Sequence, residues 1–217
     1  MTTASESAFG EPLNPLNAQA SLPYAAIRHQ IQPGDVFAFS GTDFPSQVVK
    51  LATQSPYVHV AIVFSTAHGD RGEDSILIAE SHIDRSLPSR GTGKPIRGAQ
   101  FQWLSERLIA CCAPVWWAAL KTPLTLAQTA RMQSWLKEIE QQQVPYDFVQ
   151  AIEVGFTALI CAEFRNSPDY SALFCSELVT YALQRAGVLD ETLTPADQLP
   201  ADVMQFPCFN QPILIQP

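Results

Sequence analysis

Residues 57–65, YVHVAIVFS, are apolar and largely β-branched almost without a break, the pattern of a strand covered on both faces. A chain built around such a strand must place layers on either side of it. The one interruption is His59, the only polar side chain from 58 to 64, and an imidazole there needs a hydrogen-bond partner. On a period of two, His59 shares a face with Ala61 and Val63, small neighbours that leave room for a facing helix. Both a core histidine satisfied by a backbone carbonyl and a histidine with a chemical task fit this setting.

Across a polar loop, TAHGDRGED, the segment SILIAES at 75–81 reads as the antiparallel partner of that strand. Glu80 ends it, and antiparallel pairing brings its carboxylate beside His59; a solvated strand end is the alternative. His82 shares the face of Glu80 and competes as base or orienter. Upstream, IQPGDVFAFSG sets a turn before a strand from Val36 to Phe39. TDFPSQVVKLATQ reads as a short helix with Asp43 as N-cap and Val48, Leu51 and Ala52 on one face. Residues 84–100, rich in Gly, Pro, Ser and Arg, read as a long loop beside a site, and RLIACCAPVWWAAL at 107–120 as a strand with Pro114 in its middle. TLAQTARMQSWLKEIEQQQ reads as a scaffold helix capped by Thr125 and Gln128, with Ala130, Trp135, Leu136 and Ile139 inward. The Pro-rich end of the chain reads as a surface wrap.

At 217 residues the expectation is one domain, 23–217, behind a flexible tail at 1–22, with a helical insertion around 122–165. Apolar residues at 47% against 16% charged exclude a mainly disordered chain. A net charge of −8 argues against nucleic-acid or anionic-membrane partners. The first twenty residues carry neither a basic n-region nor an apolar h-region, so a cytoplasmic location is expected. The apolar stretch 148–164 contains Glu153 and Glu163 and is short for a membrane span, so it reads as a buried helix rather than a transmembrane segment. Five cysteines without C-x-x-C spacing suggest neither a zinc cage nor a disulfide framework, and no metal or organic cofactor is implied.

One cysteine stands apart. In NSPDYSALFCSELVTYALQRAG, Leu178, Val179, Ala182, Leu183 and Ala186 follow helical spacing, and Gly187 suits a left-handed stop. Cys175 falls at the first turn of this helix, where free N–H groups and the helix dipole lower a thiol's pKa and can hold an oxyanion. A small buried hydrophobe is the alternative reading. His29 and His68 sit in turn-like segments, and Glu177 reads as a helix-start or packing residue.

The order of His59 in PYVHVAIVF, Glu80 in LIAES, Tyr146-Asp147 in VPYDF and Cys175 in FCSELVTYAL, behind the opening strand QPGDVFAFSG, resembles the circularly permuted papain-like enzymes of the NlpC superfamily, YiiX-like group. The resemblance spans about residues 31 to 187. It implies an α+β fold in which an antiparallel sheet packs against a helix that starts at the nucleophilic cysteine. It also implies a Cys175, His59 and Glu80 triad, and a cysteine-dependent hydrolase that cleaves amide or ester bonds in a peptide, peptidoglycan-like or other small substrate through a thioester. Two rivals share these residues: a lipid or amine acyltransferase on the same triad, and a ligand-binding module with the fold but no turnover.

Overall fold

A computed structural model of the chain describes residues 21–42, 44–66, 76–82, 87–144 and 174–216. The expectations for the tail, Asp43, His68, the apolar stretch 148–164, Tyr146, Asp147 and Cys161 lie outside the described residues. Among the described residues no helix is long and apolar enough to cross a membrane.

The architecture is α+β. Strands β1 (Leu22–Pro23), β2 (Val36–Phe39), β3 (His59–Thr66), β4 (Ile76–His82), β5 (Gly98–Trp103), β6 (Val115–Ala118) and β7 (Ile213–Gln216) form one seven-stranded sheet in the order β1-β7-β6-β2-β3-β4-β5. The sheet is mixed rather than purely antiparallel, because β1 runs parallel to β7 while the other pairs are antiparallel. Helices α1 (Tyr24–Ile27), α2 (Phe44–Thr53), α3 (Leu104–Ala110), α4 (Leu126–Gln141), α5 (Cys175–Ala186) and α6 (Pro200–Val203) complete the fold.

Alternation along the strands divides the core in two. On one face Val36, Ala38, Val60, Ile62, Phe64 and Ala79 meet Met132, Leu136 and Ile139 of α4 and Leu178, Val179, Ala182 and Leu183 of α5. On the other, Phe37, Phe39, Ala61, Val63, Ile76 and Ile78 meet Ile27 of α1, Ile31, and Leu104 and Leu108 of α3. The buried run of β3 therefore has the two-sided cover that its composition demands.

Four readings of the sequence need correction. The segment 84–100 is not loop throughout: β5 begins at Gly98 and pairs with β4 from Leu77↔Trp103 to His82↔Gly98. Its Gln100 and Gln102 disguised it, being polar yet buried and hydrogen-bonded to each other at 3.0 Å. The stretch 107–120 is not one strand. Residues to 110 are the end of α3, whose buried Leu104, Arg107 and Leu108 recur at helical spacing, and Pro114 precedes β6 instead of interrupting it. The C-terminal region does more than wrap the surface, since β7 enters the sheet and α6 contributes buried Val203. Ala130 on α4 faces solvent, and Met132 takes the inward place instead. Thr125 and Gln128 do form the expected cap on α4, at 3.3 Å and 3.0 Å.

The Pro-Gly-Asp turn does more than end a loop. The buried Asp35 carboxylate accepts from the Gln32 amide at 3.0 Å, the Trp117 indole at 3.0 Å and the Leu120 amide at 2.9 Å. It thereby ties the entry of β2 to the exit of β6. Gly34 beside it has φ +92, and a Cβ there would stand 2.7 Å from Leu120. Asp35→Ala leaves three inward N–H donors without an acceptor and is expected to cost about 3 kcal/mol in urea unfolding. A loss under about 1 kcal/mol would show that the donors find other partners.

Candidate functional site

The sheet opens where β3 begins. The β3–β4 ladder covers Ile62↔Ala79 to Thr66↔Ile76, so His59 to Ala61 pair with β2 and Glu80 to His82 pair with β5, but not with each other. Side chains bridge this split. His59 Nε2 lies 2.7 Å from Glu80 Oε2, in a pair almost wholly removed from solvent. The contact expected from the sequence is thus made by side chains reaching across the split beyond the end of the β3–β4 ladder.

A third partner comes from outside the strands. Arg107 of α3 donates from Nε to Glu80 Oε2 at 3.2 Å and from Nη2 to His82 Nε2 at 2.9 Å. Its guanidinium also lies over the Phe39 ring, 5.5 Å from the centroid, and the His82 ring meets that of His59 edge-on at 4.6 Å. Arg107 was not singled out from the sequence. The signal was present: Arg107 falls on the same helical stripe as Leu104 and Leu108, a charge on the apolar side of a short helix.

The charges follow from this geometry. Burial alone would push the Glu80 carboxyl up, but the Arg107 guanidinium, the His59 hydrogen bond and the nearby imidazoles overcome it and hold Glu80 well below the usual carboxylate range. Burial pulls His59 below its ordinary value of 6.5; Glu80 opposes that and Arg107 adds to it. Around neutral pH the imidazole is therefore neutral and the carboxylate ionised. A carboxylate only accepts, so the proton of His59 sits on Nε2 and the lone pair on Nδ1.

Cys175 opens α5, with Phe174 extended before it and Glu177 reaching back to accept from the Phe174 amide at 2.8 Å. Glu177 is thus the helix-start residue that its position suggested. The helix ends as expected at Gly187, in the left-handed region at φ 72. Here the facing helix departs from expectation. Cys175 belongs to the core on the α4–α5 face, whereas His59, Ala61, Glu80, His82 and Arg107 belong to the face under α1 and α3. The sulfur and the pair therefore do not share a face of the sheet, and the strand residue that reaches the sulfur is Val60, through its backbone amide.

Nor is the thiol activated in the way a helix start suggests. Cys175 is 0% exposed, and burial pushes it up to about 12, with the negative charge of Glu80 adding to the rise. The backbone amides of Val60, Ser176 and Cys175 itself oppose that rise without overcoming it. Val60 is one of the β3 residues at the split, so its amide marks where the sulfur approaches. Among the described residues no hydrogen bond joins Cys175 to His59. No group of three His, Cys, Asp or Glu side chains suited to a metal ion occurs among the described residues. Cys111, Cys112, Cys175 and Cys208 are free thiols.

These positions order the thiols by reactivity. Iodoacetamide at about pH 8 is expected to modify exposed Cys112 first, and Cys175 of the folded chain far more slowly, with Cys175 reacting freely only after denaturation. Rapid labelling of Cys175 in the folded chain would mean that the sulfur is neither so buried nor so fully protonated.

No protein-family model and no curated protein matches the chain. Among solved structures it is similar to the crystal structure of metalloprotein yiiX from Escherichia coli O157:H7, with 14% identity and a TM-score of 0.47, over 85% of this chain and 89% of that one.

Proposed function

We propose that the chain is a cysteine-dependent hydrolase of amide or ester bonds, of permuted papain-like type, with Cys175 as nucleophile, His59 as base and Glu80 as the group that orients the base. The observation that carries this reading is the 2.7 Å His59–Glu80 pair at the open end of the sheet. It leaves the lone pair on Nδ1, and the amide of the next residue along the strand, Val60, faces the Cys175 sulfur. A neutral imidazole aligned by a buried carboxylate is what thiol hydrolysis asks of its base.

The reaction starts from a protonated thiol. His59 accepts the Sγ proton as sulfur attacks the carbonyl carbon, giving a tetrahedral intermediate whose oxyanion is held by helix-start amides. The imidazolium returns that proton to the leaving amine or alcohol, and a thioester remains on Cys175. Water, deprotonated by His59, then releases the acid and restores the thiol. Substrate entry must first uncover the sulfur, because it is fully buried at rest.

Acyl capture tests the reading. Incubation with a panel of activated acyl esters and peptidyl amides, followed by intact-mass and peptide mapping, is expected to give an acyl adduct on Cys175 that His59→Ala reduces by at least about 100-fold, the usual scale of general-base catalysis. No adduct across the panel, or one indifferent to His59, sinks it. The pH profile carries a second expectation. The base must be neutral, and its pKa is held below 6.5, so kcat/KM should stay level as pH falls to 6.5 and decline only below that.

A second reading is favoured by the same burial. A fully enclosed thiol, pushed up to about 12 and packed on the α5 side of the sheet, suits a ligand-binding module without turnover. In that case Cys175→Ala retains full ligand affinity and no acyl adduct forms. An acyltransferase on the same three residues would instead pass the acyl group to an added amine.

A further inference from the structure

We infer that Arg107 is a positioning residue for the His59 base: by gripping Glu80 through Nε and His82 through Nη2, it keeps Glu80 a carboxylate and so fixes the His59 proton on Nε2. The inference rests on the hydrolase reading above for its catalytic meaning, though not for its measurement.

The geometry is specific to a guanidinium. Its Nε and Nη2 point to two acceptors at once, 3.2 Å and 2.9 Å away, on residues two apart along one face of β4. The planar group is also seated on Phe39, which pairs with His59 across the β2–β3 ladder. A lysine offers a charge but no such fork. Because Arg107 donates to His82 Nε2, that imidazole nitrogen carries a lone pair, so the second histidine serves as an acceptor for Arg107. Two neighbouring imidazoles are thereby assigned different work, His59 facing the split and His82 holding the guanidinium.

The need for Arg107 is electrostatic. Glu80 is 1% exposed, and an ionised carboxylate there, with only a neutral imidazole beside it, would take up a proton at a higher pH. Protonated, it could donate to His59 Nε2, forcing the imidazole proton to Nδ1 and removing the lone pair from that atom. Among the described residues, the titratable and charged groups set around the His59–Glu80 pair are Arg107 from α3, His82 from β4 and the Cys175 thiol from α5, and Arg107 is the permanent positive charge among them.

The test is nitrogen-15 NMR of the histidine rings in the full chain, which reports tautomer and protonation without any turnover. In the wild type the expected signature of His59 at neutral pH is a neutral ring with the proton on Nε2. An imidazolium, or the Nδ1–H form, overturns the inference directly and requires no variant. In Arg107→Gln the proton uptake of the His59–Glu80 pair should move up by about one to three pH units, as for a carboxylate losing an adjacent cation. Arg107→Lys, which keeps charge without the fork, should recover part of that shift. An unchanged titration in a folded Arg107→Gln chain refutes the positioning role. If the NMR results hold and no acyl adduct forms on Cys175, the arginine's hold on the pair stands and the hydrolase reading alone fails.

Discussion

A carboxylate buried among apolar side chains must be paid for locally, and the region around Glu80 is organised by that requirement. Its oxygen Oε2 gathers both His59 and Arg107. The third group, His82, is engaged through Arg107 rather than directly. Removing Arg107 leaves Glu80 with an unbalanced charge beside a neutral imidazole in a region of low dielectric, where breaking a buried pair costs about 3–5 kcal/mol. This accounts for α3 running from the end of β5 directly back under the sheet, with Leu104 and Leu108 packed into the core so that Arg107 between them reaches β4. The short helix is anchored by apolar contacts and oriented by a charge.

The two-faced core sets a second condition. With α4 and α5 on one side and α1 and α3 on the other, a polar cluster and a helix-start cysteine lie in different layers unless the sheet between them is interrupted. The interruption is the missing pairing between His59–Ala61 and Glu80–His82. Strand β2 continues to support one side of the split and β5 the other. At that opening the Val60 amide is turned toward sulfur. A continuous seven-stranded ladder would have kept the two layers chemically separate.

The parts of this arrangement legible in sequence were those written in short-range pattern. The β3 run, the helical spacing after Cys175, the Gly187 stop and the Thr125 cap each depend on residues within a turn or a strand of one another, and each appears as read. The His59–Glu80 contact was legible because one polar residue in an apolar strand must find a partner, and the next strand offered a single carboxylate. Arg107 was not, since its role depends on α3 turning back after β5, and β5 itself was hidden by Gln100 and Gln102, whose polarity suggested a loop. The face on which α5 packs was misread for a related reason. Alternation fixes which residues share a face, but not which helix covers it.

The local reading of Cys175 also met a competing effect. A helix N-terminus lowers a thiol's pKa through partial charges that act over one turn, whereas complete burial removes the hydration of the thiolate altogether, and the second is larger here. His59 and Cys175 are therefore displaced in opposite senses, the base weakened and the acid weakened, which disfavours a resting thiolate–imidazolium ion pair. For a sulfur in this setting to act as a nucleophile, proton transfer must accompany bond formation instead of preceding it. That places the demand on alignment. A base with its proton fixed on Nε2, and its lone pair held in one direction by Glu80, matters more for a concerted transfer than for a thiolate already formed, because in the first case the geometry of His59 enters the barrier itself.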